Sequence, residues 1–220
     1  MGTTVRLKAA DGHALDAYRA EPEGQVRGGV VIVQEIFGIT RHVERVVNEY
    51  AACGYRAIAP AMFDRVQRGI VLDDTEIETG RSYMQKLEWP TTLADVGAAI
   101  AAVQEGGRVG LVGFCWGGTV AHVAAAELTI DAAVSYYGGG VAKMLDKKLR
   151  CPIAYHFGDR DGAIPSADIQ KIKNAYPQSR VHVYPGAGHG FNCEDRQSFS
   201  ASDARLAFGR ALLFMREHVG

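Results

Sequence analysis

Four short segments of this chain carry residue types that could do nucleophilic chemistry together. The first is Gly113-Phe114-Cys115-Trp116-Gly117-Gly118, after the apolar run RVGLV and before TVAHVAAA. Glycines two positions before and two after Cys115 let a strand turn sharply into a helix. Such a turn lifts its middle side chain clear of the sheet and sets it at a helix N-terminus, where partial positive charge favours an anion. The raised group here is a thiol, whose ionised form is a strong nucleophile. A buried cysteine beside a glycine turn is the plainer alternative, and the flanking strand and helix patterns count against it.

A nucleophile of this kind needs a base and a group that orients the base. Downstream, GDRDG places Asp159 and Asp161 just past the strand-like PIAYHF, and YPGAGHGF places His189 in a glycine-rich loop. Asp159 is close enough to the strand end to cap the loop. Asp161 lies further out, where a carboxylate can curl back to a histidine, and is preferred. The fourth segment is VVIVQEIFGI, in which Glu35 ends a buried run, an odd place for a carboxylate unless it is paired. The backbone N–H groups of Ile36 and Trp116 are candidates for an oxyanion hole, one from the loop after an early strand and one following the nucleophile. His13, His42, His122, His156, His182 and His218 read as structural, with His42 opening a surface helix. Cys53, Cys151 and Cys193 lack any elbow context.

The elements that must position these groups can be read from periodicity. Residues 5–7 and 14–18 flank Asp11-Gly12-His13 and form a hairpin, because Asp-Gly supplies the positive φ of a tight turn. Residues 29–33 (GVVIV), 56–59, 108–112, 132–136, 153–157 and 181–184 are short apolar strands, several of them β-branched, as expected for strands buried on both faces. Helical spacing appears through Val43, Val46, Val47, Tyr50 and Ala51, and over 75–87, 93–103, 118–126, 167–176 and 202–218. Residues 61–74 read as a loop. A hairpin followed by alternating strands and helices implies a mostly parallel sheet with helices on both faces. Ligands of such a sheet bind beyond the carboxyl ends of its strands.

Composition narrows the function classes. The chain has 220 residues, 24 basic against 25 acidic, so it lacks the basic excess of a nucleic-acid binder. Its 47% hydrophobic and 22% charged residues suit a folded globular chain, read as a single domain over 1–220. The four cysteines are widely spaced, with no zinc-ligand pattern and no disulfide framework. No apolar run approaches a membrane span, and the free thiols suit a reducing compartment; the protein is read as cytoplasmic, a monomer or small homo-oligomer.

Together QEIFGI, GFCWGG, YYGGGV, FGDRDGAIP and GAGHGF resemble the dienelactone hydrolase family of the α/β-hydrolase fold, along nearly the whole chain. The resemblance implies a Cys115–His189–Asp161 triad, with Glu35 hydrogen-bonding the resting thiol. It also implies hydrolysis of a small ester or lactone through an acyl-thioester, with no metal and no organic cofactor. Phe37, Arg81 and Tyr83 are the implied substrate contacts. The family holds a substrate carboxylate with two arginines. Aligned on Tyr83, Thr79 stands at the first place and Cys193 at the second. Arg81 is two positions along a helix, about 200° away, and Arg196 is a further candidate. The expectation is therefore a neutral or differently anchored substrate. A thiol-redox protein and a silent ligand-binding member of the fold remain as alternatives.

Overall fold

The computed structural model describes residues 1–105 and 107–220. Its strands are β1 (Thr3–Lys8), β2 (Ala14–Ala20), β3 (Gly28–Val33), β4 (Tyr55–Pro60), β5 (Val109–Phe114), β6 (Ala132–Tyr136), β7 (Ile153–Gly158) and β8 (Arg180–Tyr184). The helices are α1 (Arg41–Ala52), α2 (Ile77–Met84), α3 (Trp89–Val103), α4 (Trp116–Glu127), α5 (Ser166–Ala175) and α6 (Ala201–His218). The strands form one eight-stranded sheet in the order β1-β2-β4-β3-β5-β6-β7-β8. β2 runs antiparallel to both its neighbours, and every pairing from β4 to β8 is parallel. This is the α/β-hydrolase fold, with helices covering both faces.

The central strands are buried along their whole length, as GGVVIV and VGLVGF require. Their register places the chemistry. Val33 pairs with Gly113, Phe114 with Tyr136, Tyr136 with His156, and Gly158 with Tyr184. The segments carrying Glu35, Cys115, Asp161 and His189 therefore leave the same edge of the sheet.

Two helices differ from their expected bounds by more than two residues at an end. The segment expected over 75–87 is helical only from Ile77 to Met84. The helix expected at 93–103 starts earlier, at Trp89, because Pro90 sits in its first turn, where a missing N–H costs nothing. Within 61–74, Met62–Arg65 forms a short 3-10 turn, and Val71 bridges Gly38.

Candidate active site

Cys115 is the first residue beyond β5 and adopts φ 53° and ψ −115°. Only one other non-glycine residue among those described has positive φ. Such a conformation costs on the order of 1–3 kcal/mol and persists where surrounding structure enforces it. The glycines of the elbow supply that enforcement. A Cβ on Gly113 would run into the Gly117 carbonyl, and one on Gly117 into the Val33 and Gln34 carbonyls. α4 begins at the next residue, so Cys115 stands at a helix N-terminus. Its own amide donates to the Tyr136 carbonyl at 3.0 Å, locking the turn to β6.

His189 lies in the loop after β8, where Gly186 and Gly190 have φ of 81° and 77°. Its Nδ1 is 2.8 Å from Asp161 Oδ2. The Asp161 side chain is fully buried, and its Oδ1 accepts from the Ala163 amide at 2.8 Å. Asp159 instead faces solvent and accepts from the Gly186 amide at 2.6 Å, fastening the histidine loop. Burial opposes protonation of His189, but hydrogen bonds to Asp161 and Cys115 outweigh it and raise the imidazole to about 10. The structure thus joins His189 to Asp161 and sets the imidazole on the same cavity as Cys115.

Glu35 is buried just beyond β3. Its Oε2 accepts from Arg196 Nη2 at 3.0 Å, while Oε1 has no partner among the described residues. The expected hydrogen bond from the thiol to Glu35 is therefore not formed. The guanidinium also lies over the Phe37 ring, 4.8 Å from its centroid. The amides of Ile36 and Trp116 make no hydrogen bond within the described residues and are free to meet a ligand oxygen.

These groups open onto a cavity of about 580 Å³, lined by Ile36, Phe37, Cys115, Trp116 and His189, among others. Arg81, Lys143 and Arg196 also line it, and among the described residues no carboxylate does. Lys143 has no ion-pair partner among the described residues, whereas Arg81 is held by Glu78 at 2.6 Å. No cluster of potential metal ligands occurs among the described residues.

Three expectations need correction. Tyr83 is not in the cavity wall: its ring stacks on Phe63, which stacks in turn on Trp116, and its hydroxyl donates to Gln67 at 2.8 Å. The helix therefore cannot be oriented from Tyr83. Ile77, Arg81 and Met84 line the cavity, at the i, i+4, i+7 spacing of one helix face. Gly80 seats that helix against the Ile36 carbonyl, where no Cβ fits. Arg81 therefore reaches the cavity despite the angle argued above. His42 is the third case. It is buried, with its ring edge-on to Phe114 at 5.4 Å, and burial lowers its basicity against the pull of Glu35. His122 and His156 are structural, each hydrogen-bonded to a buried tyrosine. Lys143 and the pairing of Glu35 with Arg196 escaped the sequence reading, because neither belongs to a local motif.

The model of the dienelactone hydrolase family matches residues 15–219. A carboxymethylenebutenolidase of Pseudomonas putida is 32% identical over 96% of this chain and 94% of that protein. The same identity and coverage hold for the carboxymethylenebutenolidase of Pseudomonas knackmussii. Among solved structures, a dienelactone hydrolase-like promiscuous phosphotriesterase from metagenomic libraries superposes with a TM-score of 0.79 at 18% identity. It covers 100% of this chain and 99% of that one. An esterase of Pyrococcus furiosus superposes at 0.73 and 14% identity, over 99% and 93% of the two chains. These two share the fold.

Proposed function

Because the chain belongs to the dienelactone hydrolase family, we propose that it hydrolyses a small carboxylic ester or lactone, with Cys115 as nucleophile, His189 as proton carrier and Asp161 as its orienter. The observation that carries this reading is a strained cysteine at a helix N-terminus that shares a cavity with a half-buried His189 held by the buried Asp161. An imidazole raised to about 10 is protonated at neutral pH, so the sulfur of Cys115 attacks as a thiolate beside an imidazolium. The thiolate adds to the carbonyl carbon, and the oxyanion is received by the Ile36 and Trp116 amides. The imidazolium gives its proton to the departing alkoxide, leaving an acyl-thioester and a neutral imidazole.

The second half follows from the same causes. Thioester formation removes the thiolate, and with it two of the influences that keep His189 protonated. The neutral imidazole then takes a proton from water, hydroxide adds to the thioester, and the thiolate leaves to restore the pair. Glu35, tied to Arg196, does not compete for the thiol in this state. The cavity wall favours a substrate with an anionic group, since Lys143 lines it with no ion-pair partner among the described residues, while Arg81 and Arg196 are paired with Glu78 and Glu35. This supports the differently anchored substrate of the two expected.

The test is hydrolysis of 4-nitrophenyl acetate by wild type and Cys115→Ala, with iodoacetamide labelling mapped by mass spectrometry. Label is expected on Cys115 in step with loss of activity, and none of the activity should survive in a folded Cys115→Ala protein. More than a few per cent of wild-type turnover in that variant would overturn the mechanism.

A further inference from the structure

Tyr137 is the second non-glycine residue with positive φ, at 38°. For a bulky aromatic residue this backbone conformation is an outlier. The chain is held in it from both sides. The Tyr137 amide donates to the His156 carbonyl at 2.8 Å. Gly138, next in line, packs so close to α4 that its Cβ would lie 2.9 Å from the Gly118 carbonyl carbon. The kink turns the ring out of the sheet and into the site. There it meets His189 edge-on at 5.1 Å and Phe191 at 5.6 Å.

The side chain is wholly buried, yet its hydroxyl has no hydrogen-bond partner among the described residues. Burial first, and then the Glu35 carboxylate, push the phenol well above its ordinary range. Glu35 Oε1 is itself a buried acceptor without a donor. A buried hydroxyl and a buried carboxylate oxygen left unpaired each cost on the order of 1–3 kcal/mol, so a side-chain rotation that joins them is favoured. The other groups facing this carboxylate are Arg196, His42 and Cys193, and Cys115 lies near both Tyr137 and Arg196. Arg196 Nε is a rival donor, since it too is buried and unpartnered.

We propose that Tyr137 is a positioning residue, whose hydroxyl donates to Glu35 Oε1 and keeps the Glu35–Arg196 pair turned away from the Cys115 thiol. The role rests on the reading of Cys115 as nucleophile. Without the hydroxyl, the carboxylate oxygen takes its hydrogen bond from the thiol instead, and the neutral thiol is unreactive. Tyr137 thereby couples the strain after β6 to the state of the nucleophile.

The experiment measures iodoacetamide alkylation of Cys115 against pH, peptide by peptide, in wild type, Tyr137→Phe, Glu35→Gln and Tyr137→Phe/Glu35→Gln. The phenylalanine keeps the ring against His189, and a thermal melt checks the fold. Tyr137→Phe should slow alkylation at pH 7 by about tenfold or more and move its midpoint to higher pH. Adding Glu35→Gln should restore the rate, because the competing carboxylate is gone. A Tyr137→Phe rate equal to wild type overturns the proposal and assigns Oε1 to Arg196 Nε. A slow rate that persists in the double variant also overturns it, since the defect is then one of packing. Failure of the nucleophile reading shows separately, as alkylation of Cys115 without loss of hydrolysis.

Discussion

Replacing Asp161 with asparagine tests the orienting role most directly, because the surrounding hydrogen bonds dictate how the amide must sit. Oδ1 of Asp161 accepts from the Ala163 amide at 2.8 Å, and Oδ2 faces His189 Nδ1 at 2.8 Å. In Asp161→Asn only the amide oxygen can serve the Ala163 N–H. The NH₂ group then points at Nδ1, which must become an acceptor. The ring proton moves to Nε2, the nitrogen that should serve Cys115, and the imidazole can no longer accept a proton from thiol or water there. The carboxylate that stabilises the imidazolium is lost at the same time. The corresponding change in a serine protease costs about 10⁴ in kcat, or roughly 5.4 kcal/mol of barrier. The same order is expected here, since Asp161 is likewise buried and Oδ2 is its one contact with the ring. Steady-state turnover of 4-nitrophenyl acetate measures it, with Asp159→Asn as control. Asp159 only fastens Gly186, so its variant should stay within about tenfold of wild type. Turnover in Asp161→Asn within tenfold of wild type, or a larger loss in Asp159→Asn, would refute the assignment.

Three further outcomes follow from the geometry. Arg196→Met should destabilise the fold by about 3–5 kcal/mol in urea titration, because it strands a Glu35 side chain that is only 6% exposed; adding Glu35→Gln should recover most of the loss. The His189 imidazole is raised from 6.5 to about 10, so its stabilising contribution is complete below pH 6.5 and is lost as pH rises toward 10. The melting temperature should decline across that window, less steeply in Cys115→Ala, and hydrolysis should fall through an alkaline limb near the same value; an identical decline in Cys115→Ala would contradict the coupling. Lys143→Met should raise KM for a carboxylated lactone about tenfold, near 1.4 kcal/mol, with KM for a neutral ester unchanged; an equal effect on both substrates would remove Lys143 from substrate recognition.

Much of the molecule was legible from local pattern. Turn chemistry announced the hairpin at Asp11-Gly12, buried β-branched runs announced the parallel strands, and the paired glycines around Cys115 announced the elbow. These depend on a few consecutive residues: a φ that only glycine tolerates, an alternation, a spacing of three and four. Their physical causes travel with the chain. The order of Cys115, Asp161 and His189, each behind a strand, was readable for the same reason.

Tertiary structure alone decided which side chains meet. Glu35 and Arg196 are 161 residues apart and pair because β3 and β8 end at the same edge of the sheet. Asp161 faces His189, and Asp159 does not, because the Gly186 amide takes Asp159 as the loop closes. Arg81 reaches the cavity and Tyr83 leaves it because Gly80 seats α2 on the Ile36 carbonyl. His42 is buried because Phe114 lies beneath the first turn of α1. None of these is set by propensity or period: each depends on strand register and loop closure, which bring distant segments together and leave no signal within any short stretch of sequence.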